Sequence, residues 1–283
     1  MGNLIEKSAS PECLNRAWKK LRSDNTIWKK GISRLEMEKD IVFHIVQLAN
    51  DLKNGSYVPE PARFFTVKKG DGKDRIISSI SLKDKLAQKS ILSVIEPIGE
   101  QLFHQDSFAY RPGRTIDMAL SRVNEYINCG LHWILDADIL ACFDNIPHKP
   151  LIKILKRYFK DRELLELICD WLDTGAMRRG FISQTKGIPQ GSCLSPFLCN
   201  LYLTEWDFAM SDKNLPFVRY ADDFLVFARS KKEAIDAKQF IMKYLRRLKL
   251  ELHPEKTHVT FCGPHITFLG RKLRKPNTKR RNK

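Results

Sequence analysis

Two adjacent aspartates are the residues of this 283-residue chain with the clearest chemical potential. Asp222 and Asp223 sit between the apolar runs Phe217-Val218-Arg219-Tyr220 and Phe224-Leu225-Val226-Phe227-Ala228. Each run has the β-branched and aromatic content of a buried strand, so the stretch reads as a β-hairpin with the acids at its tip. Side-by-side carboxylates repel, and a protein core rejects both unless a cation sits between them. Hard oxygen ligands on a rigid hairpin suit Mg²⁺, which takes one or two protein carboxylates and leaves room for phosphates. The plainer reading is an acidic turn in an ordinary hairpin. Residues 133–139 supply a second candidate strand, in which Asp136 and Asp138 point to one face. Charges on an otherwise apolar central strand are costly, which suggests a role for at least one of them. Asp144, beyond that strand, reads equally well as a helix or turn cap.

Other stretches could hold a polyanion. Residues 64–67 and 75–77 form two strands around a basic turn, and Lys68, Lys69, Lys73 and Arg75 could clamp a triphosphate or a nucleic-acid backbone. The loop 108–114 interleaves Phe108 and Tyr110 with Arg111 and Arg114, a combination suited to stacking plus phosphate contact with a template strand. The Gly/Pro/Gln loop at 186–191 precedes a helix opened by Ser195-Pro196 and could set backbone and an amide against a substrate.

The elements that must position these residues follow from periodicity and breakers. Amphipathic helices are expected at 35–52, with Leu35, Ile41, Val42, Ile45, Val46 and Leu48 on the apolar face, and at 82–101 and about 117–128. Further helices are expected at 150–159, at 161–173 with Asp161 as N-cap, from Ser195 to about Trp206, and from a Ser230/Glu233 capping box to about Leu250. Residues 179–185 read as a strand or hairpin arm. Residues 259–261 and 266–269 read as a last small hairpin around Gly263-Pro264. Trp18 and Trp28 are expected to pack the basic arm 1–34 onto the body, and the basic tail 271–283 to be unstructured until bound.

Composition narrows the partners. There are 49 Lys and Arg against 33 Asp and Glu, a formal charge of +16, which favours nucleic acid. The seven cysteines are scattered, odd in number and never spaced C-x-x-C, which argues against a zinc site and for reduced thiols in a cytoplasmic protein. No signal peptide opens the chain and no apolar run is long enough to span a bilayer, so no membrane partner is expected.

Five stretches, in order, resemble the boxes of a bacterial reverse transcriptase of the group II intron-like type. Tyr220-Ala221-Asp222-Asp223 is similar to the YxDD box. Asp138-Ile139 with Phe143-Asp144 resembles DI-x-x-x-FD. Gly187-Ile188-Pro189-Gln190-Gly191 with Leu194-Ser195-Pro196 resembles the G-x-P-Q-G box. Residues 108–114 resemble F-G-Y-R-P-G-R with Ala109 in place of Gly, and Phe268-Leu269-Gly270 resembles the box before the primer grip. The resemblance implies an α+β right-hand polymerase with an antiparallel palm sheet backed by helices. Its divisions would be fingers at 35–131, a further fingers/palm insertion near 178–190 and a palm at 132–270. It implies an RNA-directed DNA polymerase in which Asp138, Asp222, Asp223 and the backbone of Ile139 hold two Mg²⁺ ions. Lys68, Arg75, Gln190 and Gly191 would line the nucleotide site, Phe143 would exclude a 2′-hydroxyl, and Lys256 would protonate pyrophosphate. Lys69, Lys73, Arg111 and Arg114 would contact nucleic acid. Asp136 matches no catalytic position.

Splicing members of the family continue into a helical thumb, whereas this sequence stops soon after Gly270. Either the sequence is a fragment or something else supplies the clamp, and a structured noncoding RNA or an oligomer is the favoured expectation. That architecture is similar to the compact reverse transcriptases of antiphage defence. Retron enzymes, or an intron maturase fragment acting mainly as an RNA-binding module, are the alternatives. The implied partners are a noncoding RNA template, dNTPs and a DNA product.

Overall fold

The computed structural model describes residues 3–68, 74–176 and 185–276. In chain order the elements are α1 (Leu4–Ser8), α2 (Pro11–Lys19), α3 (Arg34–Lys39), α4 (Ile41–Lys53), β1 (Arg63–Lys68), β2 (Asp74–Ser79), α5 (Leu82–Glu100), α6 (Ile116–Asn128), β3 (Trp133–Asp138) and α7 (Cys142–Asn145). They continue with α8 (His148–Tyr158), α9 (Arg162–Ala176), α10 (Ser195–Asp212), β4 (Phe217–Tyr220), β5 (Asp223–Ala228), α11 (Lys231–Arg247), β6 (His258–Phe261), β7 (Thr267–Phe268) and β8 (Arg271–Lys272). Contacts gather them into two compact units: residues 1–101 with 143–201, and residues 102–142 with 202–283.

In the first unit, α1 and α2 pack on α4 and α5, burying Leu14, Trp18, Leu48, Leu52, Leu86 and Ile91. Both arm tryptophans, Trp18 and Trp28, are buried as expected. One carboxylate joins distant segments here. Asp161 accepts from the Leu164 amide at 3.1 Å, capping α9. Its other oxygen accepts from the Leu4 and Ile5 amides at 2.5 and 3.0 Å, at the start of α1. β1 and β2 form the expected antiparallel hairpin, with Lys68 opposite Asp74. The expected helix over 35–52 is two helices, broken at Asp40 with φ −129°. Its expected apolar face is also corrected: Leu35 and Val42 are 74% and 72% exposed and Val46 is exposed, while Leu48 and Leu52 go inward. Apolar residues lie on several sides of α4, so periodicity alone does not select the face that packs.

The second unit is built on a four-stranded sheet of order β4-β5-β3-β6, with every pairing antiparallel. β5 buries Phe224, Leu225, Val226, Phe227 and Ala228 in succession, as a strand covered on both faces does. On one side Ile134, Val218, Leu225 and Phe227 pack with Val123 and Ile127 of α6 and with Phe268 and Leu273. On another, Phe224 meets the Trp206 ring edge-on at 4.8 Å between centroids. The expected hairpin of 259–261 with 266–269 does not form. β6 instead joins the main sheet beside β3, and β7 pairs with β8. β8 and the burial of Leu273 also correct the expectation of a wholly unstructured tail, since the Leu273 amide donates to the Ile266 carbonyl at 3.0 Å. The arm expected at 179–185 falls, apart from Thr185, outside the described residues, and the tail beyond residue 276 does so entirely.

Candidate active site

The second unit brings the acids together at one end of its sheet. Asp138 is the last residue of β3, Asp223 is the first of β5, and the two stand directly opposite each other in the antiparallel register. β4 and β5 are joined by only Ala221 and Asp222. The turn requires the left-handed backbone, and Ala221 adopts it at φ +64°, an uncommon conformation for a residue with a Cβ. Backbone bonds tie the turn to the neighbouring chain: the Ile139 amide donates to the Asp222 carbonyl at 3.0 Å, and the His253 amide to the Asp138 carbonyl at 2.7 Å.

Carboxylates dominate the cluster. Burial, followed by the neighbouring carboxylates of Asp136, Asp138 and Asp222, pushes Asp223 up to about 7, against the pull of Lys256. Burial also raises Asp136, which stands across from His258 on β6. Among the described residues the ammonium engaged here is that of Lys256, whose Nζ donates to Asp138 Oδ2 at 2.5 Å. That bond, with the other acids behind it, raises the Lys256 pKa. Among the described residues, no three His, Cys, Asp or Glu side chains are gathered tightly enough to cage an ion. Asp138 is instead turned toward Lys256. The donor set nevertheless fits a hard dication: it is all carboxylate, and burial and the neighbouring carboxylates make Asp223 give up its proton reluctantly.

One basic residue inside the hairpin had no assigned role in the sequence. Arg219 on β4 is fully buried and donates to both oxygens of the equally buried Asp207, at 2.7 and 2.5 Å. Its remaining arm donates to the Ala221 carbonyl at 2.9 Å, the residue with the left-handed backbone just before Asp222. The main chain of Arg219 is held as well, donating to the Asp106 carbonyl and accepting from the Phe108 amide, both at 2.9 Å. A charged residue in a buried strand was the available signal. Its partner on α10 was not identifiable from spacing.

Arg111, expected to face nucleic acid, is corrected. Its guanidinium is buried and donates to the His104 and Ser107 carbonyls at 2.7 and 2.6 Å, so it braces its own loop. Arg114 is only partly buried; it lies over the Phe108 ring at 5.4 Å and donates to the Gln105 carbonyl.

The first unit holds the glutamine loop. The Gly187 amide donates to the Ile146 carbonyl at 2.8 Å and the Ile188 amide to the Phe143 carbonyl at 2.7 Å. Gly187 takes φ +98°, and a Cβ there would lie 3.3 Å from the Asp144 carbonyl oxygen, so the close approach needs glycine. The Gln190 amide reaches both Asp144 oxygens at 3.4 Å. Buried Gln88 fixes the far side of the loop, accepting from Ser192 Oγ and the Cys193 amide, each at 2.9 Å. Gln88 was not singled out in the sequence, because an amide on a helix carries no local mark of a distant partner. Lys68 is exposed at the end of β1, and Arg75 lies on β2 opposite Val67. Lys69 and Lys73 fall outside the described residues.

Comparison with known proteins adds an independent finding. The model of a family described as reverse transcriptase (RNA-dependent DNA polymerase) matches residues 67–273. The chain is similar to Protein YkfC of Escherichia coli (strain K12), 26% identical, with 86% of this chain and 74% of that protein covered. It is also similar to the Group II intron-encoded protein LtrA of Lactococcus lactis subsp. cremoris, 27% identical, with 93% of this chain and 55% of that protein covered. Among solved structures, the telomerase of Candida albicans, in complex with a fragment of telomeric RNA, matches with a TM-score of 0.58 over 87% of this chain and 50% of that one. At 16% identity this last likeness is one of fold.

Proposed function

The chain belongs to the reverse transcriptase family, and from that membership we propose that it extends a DNA strand on an RNA template, with Asp138, Asp222 and Asp223 as the metal-holding carboxylates. Its α+β fold is the fingers-and-palm fold of that family. The observation that carries the site assignment is the register of β3 and β5, which sets Asp138 against Asp223 beside a turn that presents Asp222.

Bound there, two Mg²⁺ ions would lower the pKa of the primer 3′-hydroxyl and neutralise the triphosphate and the departing pyrophosphate. Ile139 has its amide engaged with Asp222, so its carbonyl is the backbone group it offers. Lys256 holds Asp138 Oδ2, so a cation shared by Asp138 and Asp223 would compete with the ammonium and favour its release. That release suits Lys256 as the proton donor to pyrophosphate: paired with Asp138 it holds its proton more tightly, and freed it becomes a better acid. Gln190 and Gly191 line the nucleotide site in this reading, Phe143 blocks a 2′-hydroxyl, and Lys68 and Arg75 contact the triphosphate. Lys69, Lys73 and Arg114 contact nucleic acid; Arg111, buried, is left out. The partners we propose are a noncoding RNA as template or scaffold, dNTPs and a DNA product. The biological setting we propose is cytoplasmic antiphage defence. Among the described residues no helix is long and apolar enough to cross a membrane.

Primer extension on an RNA template with dNTPs and Mg²⁺ tests the activity. The double variant Asp222→Ala/Asp223→Ala should fold and extend nothing; full extension by it would remove the assigned site.

A further inference from the structure

Helix α8, in the first unit, carries exposed charge of one sign, of which Lys156 shares a groove with Glu166 and Asp170 of α9. The sequence of α8, HKPLIKILKRY, contains no acid, and among the described helices it alone has none. His148, Leu151, Ile154 and Leu155 are buried on one side. Lys149, Lys153, Lys156 and Arg157 are exposed, as is Lys160 just past the end. At 3.6 residues per turn, Lys149, Lys153 and Lys156 fall within a strip about 60° wide, roughly opposite the buried side.

Local physics opposes this arrangement. Lys149 and Lys153 are like charges four apart, Lys153 and Lys156 like charges three apart, and such neighbours repel. The helix dipole accounts for Lys156 and Arg157 in the last turn. Lys160 has a local role, donating to the Lys156 carbonyl at 2.9 Å. Neither explains Lys149, which sits in the first turn, where the dipole disfavours a cation. Elsewhere on the surface several arginines are paired with acids: Arg34 with Glu38, Arg122 with Glu125, Arg162 with Glu166 and Arg271 with Asp117. Among the described residues, Lys149, Lys153 and Lys156 make no such pair.

We propose that the exposed strip of α8 is a docking surface for the phosphate backbone of a structured RNA. This deepens the reading of the chain as an RNA-templated polymerase and rests on it. Lys149 and Lys156 are about 10 Å apart along the axis, over which one strand of a duplex presents about three phosphates. Charge without an apolar anchor selects the partner. No large hydrophobic residue of α8 is exposed, so a protein partner has no anchor to bury. The helix's apolar side is already packed in its unit, so α8 has no face to insert into a lipid surface. A phosphate ladder needs neither.

The test is binding of a labelled 20-base-pair RNA hairpin without an extendable end, by fluorescence anisotropy in EDTA over a salt series. The variant Lys149→Gln/Lys153→Gln/Lys156→Gln is compared with a control of equal charge change on α11, Lys232→Gln/Lys243→Gln/Arg247→Gln. The strip variant should bind at least about tenfold more weakly, with the slope of log K against log salt shallower by about two to three, from about 0.9 per lost phosphate contact. The control should move the slope by less than about one. Equal effects from both triples would mean that net charge alone is sensed, and would overturn the proposal. So would unchanged RNA binding by the strip variant, including the case in which it loses binding to phosphatidylserine vesicles or to a poly-glutamate peptide instead. Both triples should extend a saturating short primer–template at the wild-type rate. If wild type binds the hairpin through the strip but extends nothing, the polymerase reading fails while the docking surface stands.

Discussion

Replacing Asp223 by asparagine in the metal-free protein should stabilise the fold, and by an amount that grows with pH. The folded carboxyl titrates near pH 7, against about 3.9 in an unfolded chain. A folded pKa above the unfolded one means that ionisation is harder in the fold. Stability is therefore fullest below the unfolded pKa, falls as pH rises toward the folded pKa, and is level above it. At about 1.4 kcal/mol per unit, the three-unit rise to about 7 corresponds to roughly 4 kcal/mol of lost stability in mildly alkaline solution. Asparagine has no charge to bury and escapes that loss. The stability gap between variant and wild type should widen by about 3 kcal/mol between about pH 5 and about pH 8.5. Urea unfolding in EDTA, followed by circular dichroism at the two pH values, measures it. Added Mg²⁺ should narrow the gap at high pH by neutralising the wild-type cluster. A gap that is the same at both pH values, or a variant less stable at high pH, would refute the account of Asp223 as a carboxylate whose ionisation is opposed by burial and by its acidic neighbours.

Arg219→Lys keeps a cation against Asp207 but cannot also fork to the Ala221 carbonyl. It should destabilise by about 1–3 kcal/mol and lower kcat at least tenfold with the dNTP KM little changed; a KM effect alone would contradict a role in holding the turn. Arg219→Ala, which strands Asp207, should cost about 3–5 kcal/mol in chemical denaturation. Lys256→Gln frees Asp138, so single-turnover extension should slow while the Mg²⁺ concentration for half-maximal rate falls; a raised Mg²⁺ requirement would count against competition for that carboxylate. Phe143→Ala should admit ribonucleotides in a misincorporation assay, and unchanged sugar selection would rule out Phe143 as the discriminating ring.

Local signals in the sequence were reliable where the physics was local. Ser230 caps α11 as its spacing implied, accepting from the Glu233 amide at 3.2 Å. The acidic hairpin forms with its aspartates at the tip, because the mostly apolar runs on both sides pair as strands and leave the turn to the acids. Asp161 caps α9 as expected, but its second engagement, with α1, lies 156 residues away and left no trace in the local pattern. The same limit hid the pairing of β6 with β3 and of Arg219 with Asp207. Exposed and buried arginines also look alike in one dimension, so Arg111 read as open when two carbonyls hold it inside.

The central place of β3 has a consequence for synthesis. Its Asp138 pairs with a residue 85 positions downstream, and its other edge waits for β6, later still. At ribosomal rates of about 5–20 residues per second, a strand reading Trp-Ile-Leu-Asp-Ala-Asp has no native neighbour in its sheet for roughly 4–17 s. During that interval both of its hydrogen-bonding edges are open, as in an aggregation-prone segment. Asp136 and Asp138 interrupt the apolar run, and charge of that kind discourages strand-to-strand association between nascent chains. The same acids that burden the finished fold would then protect it while it is being made.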